Sequence, residues 1–486
     1  MSVEIFRVGH LPGLDPAGLA WRELPAPQLP PGYAFEVPAL TPQQLQALCE
    51  QLRGPGRQGL RALPVRDIVQ AIDRVIQHLL DPAATEHQLL LRWLPLSTGF
   101  PAEMIRVNLG ATLRTFRALQ LPRFLVEDLG NPALLDGFEP RVTGGWTHAE
   151  GPGLLAHVWA GNVPGLPLWS LVCGLLAKAG NIGKVSAGEP VFATVFAQTL
   201  ARLAPRLGAA VAVLWWERQD LDTARTVWGL ADTLLAYGGD AALRELQAQM
   251  PPGVRFLPHG HKLSFGIVGR AALSAGRAPT VARLAADDVV RHEQQGCYSP
   301  QVFYVERGAQ VTPLEFAQRL AAGLQQLAQK FPRPQPGLAE SAQIAQWRSR
   351  LEWAGFDDAS VQVLGHPEQD WSVVYRDRPT AIAPGPLHRC VQVVALDSLD
   401  ELAACLAPQR RHLQSAGLAV APEQLQALAD RLAALGVTRL SAIGHMTLPA
   451  PGWHNDGRPS LLDLVTLVDL EASAEALAER LTSYEV

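Results

Sequence analysis

Cys297 is the side chain of this sequence whose surroundings best suit covalent chemistry. It lies in HEQQGCYSPQVFYV (292–305), directly after Gly296, between a segment of helical periodicity and a predicted strand. A turn at this point leaves the thiol accessible, and nearby backbone N–H groups can lower its pKa and bind an oxyanion. Because some thiolate exists at neutral pH, cysteine needs little activation. We therefore predict that Cys297 is a nucleophile.

The other cysteines are predicted to be inert and buried. Each lies within an apolar helical or strand segment: Cys49, Cys173, Cys390 and Cys405. In such segments a free cysteine behaves as a small hydrophobic residue. Five cysteines scattered over 486 residues do not resemble a disulfide framework, and they indicate a reducing, cytoplasmic location.

Two histidines and a late polar loop are further candidates. His259 and His261 would face the same side of a strand, but no third ligand follows at suitable spacing, so no metal site is predicted. One of them could serve as a base, although structural packing is the simpler interpretation. His454 and Asp456, in GWHNDGR (452–458), could border an active site or form a plain Asp-Gly turn.

Composition excludes several classes of protein. Hydrophobic residues make up 48% and charged residues 18%, enough apolar material for two or three packed domains. A net charge of −5 provides no electrostatic surface for nucleic acid.

One segment has the length of a membrane span. Residues 158–177 carry no charged side chain, but Gly and Pro interrupt the segment. We predict a buried strand, a loop and a helix there, and neither a membrane span nor a signal peptide.

The order of predicted elements indicates an α/β fold. Helices are predicted in the first 150 residues at 41–52, 64–80, 85–94 and 101–120, after a Pro-rich stretch at 24–32. Strands then alternate with helices in two blocks, at 154–160, 181–186, 209–216 and 233–237, and at 263–269, 301–306 and 391–397. A turn-rich tail precedes a last strand and helix. This alternation is typical of parallel sheets.

Four segments resemble the lux-type acyl-CoA reductases, the luminescence-type branch of the aldehyde dehydrogenase superfamily. They are GPGLLAHVWAGNVPGLP (151–167), GKVSAGEPVF (183–192), QQGCYSPQ (294–301) and WHNDGR (453–458). Several anchors in the correct order are more specific than one short motif. The resemblance implies an aldehyde-dehydrogenase-like fold with two parallel-sheet, Rossmann-type α/β domains.

The resemblance also implies a division of the chain and roles for particular residues. The expected division is a helical region (1–150) on the cofactor domain, a dinucleotide-binding domain (151–262), a catalytic domain (263–440) and a C-terminal segment returning to the core (441–486). Asn162 corresponds to an oxyanion-hole asparagine. Lys184 and Ser186 correspond to contacts of the adenosine ribose. Gly238 and Gly239 correspond to the turn beside the pyrophosphate, where a helix N-terminus favours an anion.

Three departures from the hydrolytic aldehyde dehydrogenases bear on the reaction. Pro258 stands where those enzymes have the Glu that activates water, so an acyl-enzyme should resist hydrolysis. Ala187 stands where NAD-dependent enzymes have a Glu, and the loss of that carboxylate permits NADPH. AIAPGPLHRC (381–390) replaces the segment that holds the nicotinamide ribose, so that contact is not assigned.

The resulting hypothesis is an enzyme that reduces an acyl thioester to an aldehyde through an acyl-Cys297 intermediate. NADPH is the expected reductant, with NADH as the alternative, and the acyl carrier is coenzyme A or a protein. The alternatives are an acylating or acid-forming aldehyde dehydrogenase, or an inactive homologue that acts as a scaffold. A homo-oligomer is expected. Lux-type relatives work beside an acyl-protein synthetase and an acyltransferase, which makes such proteins the candidate partners.

Overall fold

A five-stranded and a seven-stranded sheet contain most strands of the computed structural model, which describes residues 3–482. Within that range, no helix is long and apolar enough to cross a membrane. The uncharged segment 158–177 instead contains the end of a strand, a loop and the buried helix Leu166–Leu176, as the sequence predicts.

A small sheet and a group of helices form the N-terminal region. The sheet contains β1 (Glu4–Arg7), β2 (Ala20–Leu24) and β3 (Tyr33–Ala39), with β3 in the middle. The helices are α1 (Pro42–Gln51), α2 (Arg57–Arg61), α3 (Val65–Leu80), α4 (Thr85–Thr98), α5 (Ala102–Arg114) and α6 (Leu121–Leu129). A capping box between Thr41 and Gln44 begins α1, with Pro42 in the first turn.

The prediction of a helical N-terminal region was incomplete, because it missed this sheet. Strands β1 and β2 are short and largely exposed, so their hydrophobic alternation is weak, and β3 carries Pro38. The Pro-rich stretch at 24–32 is the connection between the antiparallel strands β2 and β3. The helix predicted at 101–120 ends earlier, at Arg114.

A five-stranded parallel sheet forms the first α/β block. After β4 (Glu139–Pro140) and β5 (Trp146–Glu150) come β6 (Leu154–Val158), β7 (Gly180–Lys184), β8 (Val211–Leu214), β9 (Thr233–Tyr237) and β10 (Arg255–His259). The connecting helices are α7 (Leu166–Leu176), α8 (Val191–Leu203), α9 (Pro205–Gly208), α10 (Leu221–Leu230) and α11 (Asp240–Ala248). The strand order is β10-β9-β6-β7-β8. The direction of winding reverses at β6, and ligands bind beyond the carboxyl ends of the strands at such a point.

A seven-stranded sheet forms the second block. Its strands are β11 (Leu263–Val268), β12 (Pro300–Glu306), β13 (Val361–Leu364), β14 (Ser372–Arg376), β15 (Cys390–Leu396), β16 (Leu413–Ala419) and β17 (Arg439–Ala442). The order is β13-β14-β15-β12-β11-β16-β17, and only the β13–β14 pair is antiparallel. Its helices are α12 (Ala278–Val290), α13 (Pro313–Lys330), α14 (Leu338–Asp357), α15 (Leu402–Leu406) and α16 (Pro422–Ala434).

The two sheets meet end to end. The last strand of the first sheet, β10, leads directly into β11 of the second through residues 260–262. The carboxyl edge of one sheet therefore lies beside the amino edge of the other. The tail crosses this region in turns, ends in β18 (Thr466–Leu470) and α17 (Ala472–Thr482), and pairs β18 with β5. The predicted last strand and helix are confirmed.

Candidate active site

A cavity of about 420 Å³ lies where the two sheets meet. Cys297, Asn162, Gly238 and Gly239 all line it. They come from the turn before β12, the loop after β6 and the turn after β9, so the fold gathers residues that are far apart in the chain. Lys184 and Ser186 are not in the lining of this cavity. Lys184 ends β7, and Ser186 lies in the turn that follows.

The turn that carries Cys297 is anchored to two central strands. Cys297 lies in the turn between α12 and β12, where its surface is accessible within the cavity although protein surrounds it. The hydroxyl of Ser264, on β11, donates to the Cys297 carbonyl at 2.7 Å and accepts the N–H of Ser415, on β16, at 3.1 Å. Sequence reasoning missed Ser264, since a serine in an apolar strand carries no distinctive signal.

Strained backbone leads into this turn. His292, Glu293 and Gln294 have φ values of 53°, 52° and 60°, a region that costs non-glycine residues about 1–2 kcal/mol each. A buried ion pair stabilises the segment: the Arg389 Nε donates to Glu293 Oε2 at 2.8 Å, and the His388 N–H donates to the Glu293 carbonyl at 3.1 Å. Strain that packing holds in place is typical of functional sites.

The thiol of Cys297 is less acidic than the sequence led us to expect. Enclosure by the protein, followed by the charge of Asp456, raises the pKa of Cys297 to about 11. Its own backbone N–H, the Gln414 side chain and Arg439 act in the opposite direction and are outweighed. The backbone N–H thus lowers this pKa, as the sequence predicts, but burial and Asp456 outweigh it, and Cys297 is a thiol at neutral pH.

Asn162 bridges the two blocks at the cavity. Its side-chain amide donates to the carbonyl of Gln295, two residues before Cys297, at 2.7 Å. An amide has two N–H donors, so this bond orients the group and leaves one donor free. This bond holds the Asn162 amide beside the turn that carries Cys297.

Replacing Asn162 by alanine is expected to slow acylation of Cys297 without abolishing it. One oxyanion donor is worth about 10²–10³ in maximal rate, and the Cys297 N–H would remain. Single-turnover acylation and steady-state kcat measure the effect. Asn131→Ala is a suitable control, because Asn131 lies outside the cavity lining, at the start of a short helical turn. An unchanged kcat in Asn162→Ala would remove Asn162 from the oxyanion site.

His259 and His261 do not share a strand face. His259 ends β10, whereas His261 follows the strand and is exposed near His412, with ring centroids 6.1 Å apart; both histidines line the cavity. The same-face premise for a histidine pair was wrong. Across residues 3–482, no group of three or more His, Cys, Asp and Glu side chains is arranged to hold a metal.

Asp456 is the member of the late polar loop that enters the cavity. Its Oδ2 lies 2.9 Å from His259 Nδ1, and its Oδ1 accepts from Gln414 Nε2 at 2.8 Å. Burial would raise the pKa of Asp456, but His259, Lys262 and Gln414 together hold that pKa below its ordinary value. His454, by contrast, is exposed and outside the cavity lining. The site thus contains an ionised carboxylate bound to a histidine.

An aromatic wall forms another side of the cavity. The Trp169 ring lies 5.2 Å from Phe116 and 6.3 Å from Trp453, and all three residues line the cavity. Apolar neighbours extend this wall: Val163, Leu166, Leu448 and Pro449. Such a surface suits an apolar chain bound beside Cys297.

The carboxyl edge of the five-stranded sheet fits a nicotinamide dinucleotide. Gly239 caps α11 without a side-chain hydrogen bond, and a Cβ placed there would meet no atom within 4 Å, so this helix N-terminus is open to a ligand at Gly239. Lys184 Nζ lies 5.3 Å from the Trp216 ring centre. Burial, followed by the nearby Arg218, lowers the pKa of Lys184 to about 8.

The segment between β7 and α8 also contains an acidic side chain, Glu189. Glu189 is buried, and its carboxylate accepts the N–H groups of Val191 and Phe192 at the start of α8. Burial raises its pKa to about 8. Glu189 therefore caps a helix and does not replace the carboxylate missing at Ala187.

Comparisons with known proteins agree with this geometry. The model of the LuxC acyl-CoA reductase family matches residues 60–467. A long-chain acyl-protein thioester reductase of Photorhabdus luminescens is 26% identical over 356 residues, which cover 72% of this chain and 70% of that protein. Similar folds occur in methylmalonate-semialdehyde dehydrogenase from Oceanimonas doudoroffii (TM-score 0.72, 12% identity, covering 97% of this chain and 98% of that chain). The fold is also similar to that of NADP-dependent glyceraldehyde-3-phosphate dehydrogenase from Bacillus halodurans, complexed with NADP (TM-score 0.66, 12% identity, 94% and 96%).

Proposed function

The chain belongs to the LuxC family of acyl-CoA reductases, and from this premise we propose that it reduces an acyl thioester to an aldehyde through acyl-Cys297, with NADPH as reductant. It is an oxidoreductase that acts on acyl groups and has the aldehyde dehydrogenase fold. The observation that carries the covalent route is the meeting of Cys297, Asn162 and an aromatic wall in one cavity. Pro258 stands where the hydrolytic relatives have Glu.

The proposed reaction has two halves on one sulfur atom. The Cys297 sulfur attacks the thioester carbonyl, the bond from carbon to the carrier sulfur breaks, and an acyl-enzyme and a free thiol result. Asn162 and the Cys297 N–H stabilise the oxyanion. When bound, the reduced nicotinamide supplies hydride for the acyl carbon. The resulting thiohemiacetal collapses, which releases aldehyde and regenerates Cys297.

We propose a long-chain acyl group as the substrate. The aromatic wall of Phe116, Trp169 and Trp453 offers an apolar surface beside the nucleophile. The name of the Photorhabdus relative specifies a long-chain acyl group carried by a protein. An acyl-protein is therefore the first candidate donor and acyl-CoA the second.

We propose that Lys184, Ser186, Gly238 and Gly239 bind the dinucleotide, within a domain of residues 151–262. The five-stranded sheet lies inside these limits, and the seven-stranded sheet lies within the proposed catalytic domain, 263–440, apart from the two residues of β17 beyond its end. The lysine ammonium and the absence of a carboxylate at Ala187 favour binding of a ribose 2′-phosphate.

We also propose a homo-oligomer and, as a partner, an acyl-protein synthetase or acyltransferase. Exposed apolar residues on β18 and α17 support the former: Leu467, Val468, Leu470, Leu477 and Leu481.

The proposed function predicts acyl-dependent oxidation of NADPH with formation of an equal amount of aldehyde. Acyl-CoAs of graded length, assayed with NADPH and with NADH, should show higher kcat/KM for longer chains and for NADPH. Because the pKa of Lys184 is about 8, its charge is lost as pH rises through that value. The dissociation constant for NADPH should therefore increase above pH 8, and that for NADH should change less.

Direct binding measurements provide the control. Lys184→Met should weaken NADPH binding and leave NADH binding nearly unchanged. Lys330→Met is the matched control, since Lys330 ends α13 and stacks on Phe331. A better kcat/KM with NADH would contradict the cofactor assignment, and absence of aldehyde with every thioester would contradict the function.

A further inference from the structure

We propose that His259 is the base that removes the proton from Cys297 during attack on the thioester, and that Asp456 is its positioning residue. The inference rests on the proposed function, because it requires Cys297 to be the nucleophile. Both side chains line the same cavity as the thiol, although one comes from the end of β10 and the other from the C-terminal tail. The tail would then complete the site.

The surroundings of His259 fix its orientation and tautomer. Its Nδ1 lies 2.9 Å from an Asp456 carboxylate oxygen, so this nitrogen carries the proton of a neutral ring. The ring stacks on Tyr237 with centroids 4.8 Å apart and an interplanar angle of 16°. In the described part of the chain, no protein group forms a hydrogen bond with Nε2. Nε2 is therefore an available acceptor on a residue of the cavity wall.

A polar chain links the pair to the nucleophile. Gln414, at the start of β16, donates to Asp456 at 2.8 Å and also interacts with the Cys297 thiol. The negative charge of Asp456 contributes to the raised pKa of Cys297, so this carboxylate disfavours free thiolate. Attack on a thioester therefore requires a proton acceptor at the moment of reaction, and a neutral imidazole is suited to that role.

The proton balances without another reactant. As the Cys297 sulfur attacks, its proton moves to Nε2 of His259, and the imidazolium formed is stabilised by Asp456. When the bond from carbon to the carrier sulfur breaks, the imidazolium returns the proton to the departing thiolate. His259 is then neutral again, and the acyl group is on Cys297.

Two cationic side chains also lie near the pair. Lys262 Nζ lies 3.8 Å from Asp456, and the Arg458 guanidinium donates to the carbonyl of Pro258 at 3.2 Å. Arg439 acts on the Cys297 side. Acylation should accordingly be slower under acidic conditions in which His259 is an imidazolium, because an imidazolium cannot accept the proton of Cys297.

The test is the pH profile of Cys297 acylation in a single turnover. Tetradecanoyl-CoA is mixed with enzyme and no cofactor, and the adduct is followed by intact-protein mass spectrometry. His259→Gln should lower the rate at neutral pH by about 10²–10⁴-fold and remove the acid limb. The remaining rate should then rise with pH toward the ionisation of Cys297 itself. His454→Gln, in the same loop as Asp456 but outside the cavity lining, is the matched control.

The Asp456→Asn variant distinguishes two roles of Asp456: orienting His259, or only raising the pKa of Cys297 through its negative charge. Removing this charge makes the thiol more acidic, so acylation should become faster if Asp456 only disfavours thiolate. It should become slower if Asp456 orients His259. An unchanged pH profile in His259→Gln, or faster acylation in Asp456→Asn, would overturn the pair and leave the proposed function intact. Absence of any acyl-Cys297 in the unmodified enzyme would overturn both.

Discussion

Replacing Cys297 by alanine is expected to abolish aldehyde formation and acyl-enzyme formation together. Both halves of the proposed reaction use this one sulfur atom, so its loss leaves no route that the remaining residues provide. Removal of a covalent nucleophile lowers turnover by at least about 10⁴-fold in well-studied cases. Aldehyde release and intact-protein mass after exposure to acyl-CoA measure the two effects.

Cofactor binding should survive the same substitution. Lys184 ends β7 and Gly239 caps α11, and both elements belong to the five-stranded sheet block, whereas Cys297 precedes β12 of the other sheet. NADPH titration of Cys297→Ala should thus match the unmodified protein. Cys49→Ala provides the control, because Cys49 is buried in α1, where burial raises its pKa to about 12. Turnover retained by Cys297→Ala would mean that another residue is the nucleophile.

The residues that line the cavity were easier to predict from the sequence than the chemical environment of their side chains. Gly296-Cys297 and the motif around Asn162 can be recognised from local residue types, and the alternation of strands and helices predicts parallel sheets. The fold then brings Cys297 and Asn162 to one cavity, because β10 continues into β11 and joins the edges of the two sheets. Such motifs and alternations can be read from neighbouring residues alone, without knowledge of the distant contacts in the fold.

Other features depend on contacts between distant segments and leave no local signal. The raised pKa of Cys297 depends on enclosure by the protein and on Asp456, which is 159 positions later in the chain. The buried partnership of Glu293 with Arg389 is likewise nonlocal. Strand β16 (LQSAGLA) is rich in small residues with low strand propensity, so its pairing with β11 and β17 stabilises it more than its own sequence does.

An acyl-Cys297 adduct formed without reductant is expected to be long-lived. Hydrolytic relatives position a Glu that activates water, and here Pro258 occupies that place. The pyrrolidine ring has no proton acceptor, and the Pro258 carbonyl already accepts from Arg458 at 3.2 Å. Loss of the carboxylate that activates water should slow attack by water by about 10²–10⁴-fold, whereas hydride addition requires no proton abstraction from water.

Intact-protein mass spectrometry after mixing with acyl-CoA alone should therefore show a persistent adduct. Added NADPH should discharge it to aldehyde, added coenzyme A should return it to acyl-CoA, and free acid should accumulate slowly. Discharge by NADPH and by coenzyme A would show that the acyl-enzyme is a reactive intermediate and not a chemically inert adduct. Rapid release of free fatty acid without NADPH would identify an acid-forming enzyme with a base for water. If His259→Gln then suppressed that release, His259 would activate water; if it did not, His261 would be the next residue to replace.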